Sequence, residues 1–302
     1  MTTALKATVL RDRTIVAVNG TDRIKFLQGL ITNDIRRLRP SRALYAGFLT
    51  GQGKLLYDLF LCTSDGEQVL IDIAAVHVED FFARLTRFRL NAVVEFAKTQ
   101  PPLAVAAIWG TDAANGLGFD AEEGAAGKAA TPGAHYAYVD PRMTDLGVRL
   151  VCPADYPIEA EFARLGFADA TPPDYAAHRL SLGVADTDEI AGEICYPLEA
   201  NFEMLHGVDF RKGCYVGQEL TARMKLKGEL RKRILPVTGT VALPDAGAAV
   251  TAGNTELGQL IAASGTQGLA LLRLDRLGSA DAGAIRTQDV SLDVHWPEWL
   301  PR

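Results

Sequence analysis

The chain is poor in cysteine and histidine: its 302 residues hold four of the first and five of the second. Cys62, Cys152, Cys195 and Cys214 stand far apart, and no two form a Cys-x-x-Cys pair. That spacing argues against a zinc site or a four-thiolate cluster site built by this chain alone, so no resident metal is expected. Free, reduced thiols are the expectation. No run of about 18 apolar residues occurs, so neither a transmembrane helix nor a membrane partner is expected. Residues 1–13 lack the apolar core of a secretory signal and the length of a transit segment, and from them a cytoplasmic location is expected. Neither sign of charge dominates, since 31 Lys and Arg face 37 Asp and Glu for a net charge of −6. With no recognisable RNA-binding motif, direct nucleic-acid binding is not expected. No internal repeat is found.

What is present is ordinary globular material, 48% hydrophobic, enough for two or three modest domains. Residues 14–18 read as a strand, and Thr21 or Asp22 can cap a helix with Ile24, Leu27 and Ile31 on its inner face. Residues 42–50 and 55–62 read as a hairpin around Gly51-Gln52-Gly53. A strand at 68–74, a helix at 76–88 and strands at 92–96 and 103–109 follow. Residues 111–133, rich in Ala, Gly and acidic residues, read as an exposed excursion. Strands at 136–139 and 148–152, helices at 158–165 and 174–182 and an irregular stretch at 185–197 come next. Beyond Gly228 short strands with Gly, Pro and Asp turns fit a small β-barrel or sandwich. The fold class is α+β, divided into residues 1–228 and 229–302.

The most informative stretch is Lys212-Gly213-Cys214-Tyr215-Val216-Gly217-Gln218-Glu219. Arg211 and Lys212 favour a thiolate at Cys214, and glycines on either side admit backbone shapes that bulkier residues obstruct. Most single cysteines are nonetheless inert, and no His or Asn can be assigned to activate this one. Gln218 and Glu219 can orient the loop or cap a following helix. Tyr215 can stack on a planar ligand or simply pack.

Asp58 is the second candidate. Its strand, Leu55-Leu56-Tyr57-Asp58-Leu59-Phe60-Leu61-Cys62, is apolar on both faces, so the carboxylate must be hydrogen-bonded, paired or held protonated. Glu199, framed by Leu198 and Ala200, offers a carboxylate that could accept two adjacent N–H donors of a pterin ring. A solvated loop residue is the competing reading. Residues 211–233 hold eight Lys or Arg against Glu219 and Glu229, a local reversal of sign. A solvated linker, a site for the glutamate tail of folate and an RNA contact compete to explain it.

The octapeptide resembles the signature of the YgfZ-type folate-binding proteins, which include iron–sulfur assembly relatives and are related to the T-protein (aminomethyltransferase) of the glycine cleavage system. Pro197-Leu198-Glu199-Ala200-Asn201, Leu220-Thr221-Ala222-Arg223 and Arg231-Lys232-Arg233-Ile234-Leu235-Pro236-Val237 match as well. So do Phe26-Leu27-Gln28-Gly29 and Thr32-Asn33-Asp34. The resemblance implies a T-protein-like ring of two intertwined α+β subdomains and a C-terminal β-barrel-like domain, within one monomer. It implies a tetrahydrofolate or related reduced folate as cofactor, with Asp58, Glu199, Asn33 and Arg223 as contacts. Cys214 and Lys212 become the working pair, with Gly213, Tyr215, Gly217, Gln218 and Glu219 shaping the motif.

The function implied is assistance to assembly or repair of 4Fe–4S enzymes, including radical enzymes that modify tRNA. Iron–sulfur clients or assembly proteins are the partners, with a cluster bound at most transiently. A folate-dependent aminomethyl or C1 transferase is one alternative. Tyr57 stands where the T-protein has a second carboxylate, and Ser181 where it has a pterin-binding glutamate, so an assembly factor is favoured over an enzyme. A non-catalytic scaffold for an anionic partner is the other alternative.

Overall fold

The computed structural model describes residues 5–128, 136–228 and 230–301. Residues 129–133 of the expected excursion, and Glu229 of the basic stretch, lie outside the described residues.

Three β-structures make up the chain. A five-stranded antiparallel sheet runs in the order Leu44–Leu49, Leu55–Cys62, Val69–Ala74, Arg13–Asn19, Glu95–Lys98. A six-stranded sheet is ordered Ala168–Asp169, Lys6–Val9, Leu103–Trp109, Val148–Pro153, Tyr136–Val139, Ala126–Gly127. The chain thus starts in the six-stranded sheet, leaves it to build the five-stranded one, and returns. A closed six-stranded barrel follows, from Lys232–Gly239 to Val290–Val294. The expectation of an α+β fold with a C-terminal barrel stands.

The strand Leu55–Cys62 is buried along its whole length. Leu59 and Leu61 join a core under the helix Val78–Arg89, where Phe81 and Leu85 are fully buried. Phe60 and Cys62 join a second core, shared with Val105, Tyr138 and Val151 of the other sheet and with Ile234, Ile261 and Leu269 of the barrel. Apolar residues on both faces are what a strand between two cores requires. Asp58 shares the Phe60 face, so the alternation of a strand carries it into the middle of the molecule.

Two local readings need correction. The helix after Asp22 spans only Arg23–Gln28, and Asp22 does not cap it. Its Oδ2 instead accepts the backbone N–H of Val93 at 2.8 Å, tying the helix start to the segment that leads into the strand Glu95–Lys98. Residues 185–197 hold a short helix, Thr187–Ile190, capped by Asp186 and Glu189 in a reciprocal capping box. A non-local partner decided the first; the second is a local Asp-x-x-Glu signal that the sequence carried.

Candidate functional site

Cys214 is exposed, whereas Cys62, Cys152 and Cys195 are buried. Burial pushes the Cys62 and Cys195 thiols far up and the Cys152 thiol to about 11, so those three stay protonated and shielded. The loop that carries Cys214 is held from both sides. Upstream, Lys212 is only 6% exposed. Its Nζ donates to the carbonyl oxygens of Gln28 (2.8 Å), Ile31 (2.6 Å) and Asn33 (2.8 Å). These three carbonyls lie where the chain leaves the helix Arg23–Gln28, and one ammonium has three protons to give them. The same ammonium lies 4.9 Å from the centre of the Tyr215 ring.

Downstream, Gly217 takes φ +79° and a Cβ on it would stand 2.4 Å from the Thr50 carbonyl oxygen. Only glycine fits so close to the hairpin turn, which explains this member of the motif. Gln218 Oε1 accepts the Tyr215 N–H at 3.3 Å as the helix Gln218–Lys227 begins. Gly213 has open space around it. Tyr215 is 7% exposed and belongs to the core, so its ring packs and offers no ligand face. Glu219 pairs with Arg223 one helical turn on, at 2.6 Å, both solvated. Cys214 therefore sits free on a rigid frame, and Lys212 is part of the frame.

Asp58 sits elsewhere. The hairpin turn at Gly53 touches Gly217, and Asp58 lies five residues along the strand, ~17 Å away at about 3.3 Å per residue. It is 1% exposed. The Thr187 hydroxyl donates to its Oδ1 and the Tyr45 hydroxyl to its Oδ2 at 3.4 Å. Burial pushes its carboxyl upward, against the pull of Arg13 and Arg142.

Around Asp58 lies a buried ionic network that the sequence reading missed. Asp72 accepts from Arg13 and from Arg149 Nη1 (2.8 Å); Asp140 pairs with Arg142 (2.9 Å) and Arg149 (3.2 Å). Asp186 stands within 3.5 to 3.9 Å of Arg13, Arg142, Arg149 and Arg179. Burial opposes its charge, yet the four guanidiniums hold its carboxyl far below the usual range. The Arg149 guanidinium lies 3.7 Å from the centre of the Phe60 ring. The signal existed in sequence: Asp72 in Val69–Ala74 and Arg149 in Val148–Pro153 are charges in apolar strands, as Asp58 is. Nothing local says that they meet.

The four expected folate contacts are not brought together. Asn33 spends its amide on the carbonyls of Tyr45 and His206, both at 2.7 Å. Glu199 is 7% exposed and accepts the Tyr196 N–H at 2.9 Å, with burial pushing its carboxyl up. Arg223 is on the outer helix. Asp58 is sealed inside. No group of three or more His, Cys, Asp or Glu among the described residues is placed to hold a metal ion.

Residues 231–302 match the family model described as the CAF17 C-terminal beta-barrel domain. The human iron–sulfur cluster assembly factor IBA57, mitochondrial, is 33% identical over 313 residues, covering 97% of this chain and 84% of that protein. The chain belongs to the IBA57 family. An IBA57 homolog of Mycosarcoma maydis is 34% identical over 75% of this chain. That match spans 55% of the longer protein, so the chain covers about half the length of such relatives. The glycine cleavage aminomethyltransferase T of Bartonella henselae has the same fold at TM-score 0.79, covering 99% of this chain and 87% of its own, with 15% identity. At that identity it shows the fold alone. The matched IBA57 relatives are named as mitochondrial proteins, which overturns the cytoplasmic location expected from residues 1–13. The lack of a recognisable leader there carried no positive information about a compartment.

Proposed function

We propose that this chain is a non-catalytic assembly factor for iron–sulfur proteins, offering Cys214 as one thiolate to a cluster or sulfur species held jointly with a partner. Its relatives carry the name of assembly factors, not of transferases. The observation that carries the reading is the contrast within the chain: one exposed cysteine of four, on a loop clamped by Lys212 and Gly217. A single thiolate cannot hold a cluster, so the other ligands come from the partner or a small thiol. Arg211, three residues before it, is exposed, as is Lys227 at the end of the following helix, and both suit an acidic docking face on that partner.

The test is restoration of a 4Fe–4S client in cells that lack their own factor. Wild-type chain should restore its activity and Cys214→Ser should not. Full restoration by Cys214→Ser would remove the reading.

The folate implied by the resemblance does not fit in the manner of a T-protein. Both oxygens of Asp58 are engaged and the carboxyl has no free edge for a pterin. Ser181, where the T-protein has its glutamate, is exposed and donates to the His178 carbonyl.

A further inference from the structure

A cleft of about 650 Å³ opens between the helix Gln218–Lys227 and the barrel, within the ~300–1,000 Å³ usual for small-molecule sites. One wall is apolar: Leu198, Met204, Met224 and the Trp296 ring. The indole Nε1 donates to the Leu300 carbonyl at 2.7 Å, which fixes the ring's orientation. Arg231 and Arg233 supply the charge.

Arg233 is the unusual member. The arginines of the central network each have carboxylate partners. Arg233 is half-buried and makes no ion pair among the described residues. Its Nη1 donates to Asn201 Oδ1 at 3.1 Å, and its Nε is buried with no partner. Its guanidinium carbon lies 5.9 Å from the centre of the Trp296 ring. A guanidinium partly withdrawn from water without an ion pair is costly, and an anion in the cleft would offset that cost.

We propose that this cleft binds an aromatic acid, with its carboxylate on Arg233 and its ring against Trp296. A carboxylate suits the flat guanidinium edge, which can donate two parallel bonds. Inorganic phosphate is disfavoured because it brings no ring to lie against Trp296. Lys225 is already matched by Glu203, and Asp275 by Arg273 at 2.6 Å, which among the described residues leaves Arg231 and Arg233 for the ligand. The chemistry has two sources, a free aromatic acid or the aminobenzoyl-glutamate end of a folate. Met224 and Lys225 sit on the helix that follows the Cys214 loop, so an occupant would touch the element next to the working thiol.

The proposal stands apart from the role of Cys214, and its test uses the protein alone. Benzoate, 4-aminobenzoyl-glutamate, 5-formyl-tetrahydrofolate and inorganic phosphate are titrated by calorimetry and by tryptophan fluorescence. At least one aromatic carboxylate should bind and phosphate should not. Arg233→Gln should weaken binding about tenfold or more, and Trp296→Phe should diminish the fluorescence response. Cys214→Ser should leave binding unchanged. Met224→Glu, on a half-exposed helix position, should repel the ligand while the fold stays intact, which covers the case of an unstable Arg233 variant. Binding of benzoate and 4-aminobenzoyl-glutamate alike assigns the site to free aromatic acids. Arg233-dependent binding of the folate and its fragment, without benzoate, assigns it to the folate. No binding at millimolar concentration, equal binding of phosphate, or binding indifferent to both Arg233→Gln and Met224→Glu overturns it.

Discussion

Lys212 Nζ lies 2.6 Å from the carbonyl oxygen of Ile31, one of three backbone acceptors that occupy its ammonium. The lysine two residues before the exposed cysteine is therefore a clamp between the motif loop and the end of the helix Arg23–Gln28. It holds Cys214 in place and is not free to act on it.

Lys212→Met should destabilise the protein by about 3–5 kcal/mol, because three carbonyls lose a charged donor in a buried setting. Thermal unfolding measures the loss. Hydrogen exchange should quicken at Gly213 and Tyr215 before it does in the barrel. Unchanged exchange there would mean that the loop does not depend on the clamp.

Burial lowers the Lys212 pKa from 10.5 to about 8. The unfolded chain then binds more protons than the folded one between about pH 8 and 10.5. This group's contribution to stability accordingly rises as pH rises through that window and is lost as pH falls through 8. Denaturant titrations at pH 7.5, 9 and 10.5 should show the upward slope flattened in Lys212→Met.

Gly217→Ala should cost ~2–4 kcal/mol, from a positive φ and a Cβ 2.4 Å from the Thr50 carbonyl. Gly213→Ala should cost far less, since open space surrounds it. Comparable unfolding midpoints for the two variants would contradict the close approach of the motif to the hairpin turn.

Of the four thiols, a soluble alkylating reagent should modify one in the native protein and four in denaturant. Mass spectrometry after Cys214→Ser should find none modified in the native state. Rapid labelling of Cys62 or Cys195 would show that the shared core opens.

Asp58→Asn should change stability by less than about 1 kcal/mol, as an amide oxygen can still accept from Thr187 and its NH₂ can donate to the Tyr45 oxygen. Arg149→Met should cost ~3–5 kcal/mol by leaving Asp72 and Asp140 short of a partner. Equal losses from both substitutions would show that Asp58 is an ionised member of the network.

Much of the fold was legible because burial patterns repeat along the chain. Leu55–Cys62 is apolar on both faces since two cores press on it, and the barrel strands are short and separated by Gly, Pro and Asp turns. The exposed role of Cys214 was legible in part, through its glycines and basic neighbours. The role of Lys212 was not, because its partners lie about 180 residues earlier in the chain.

By itself the sequence determined which residues called for an explanation: a charge in a buried strand and a cysteine in a glycine-containing, basic stretch. Only the tertiary structure decided their company. Asp58 was drawn into a sealed network and away from any ligand, because its strand runs between two packed layers. Cys214 stayed outside, because Lys212 and Gly217 spend their contacts on holding its loop against the hairpin and the first helix. Alternation and composition are local and survive in the sequence. Pairing between distant segments depends on how the layers close, and no spacing along the chain encodes it.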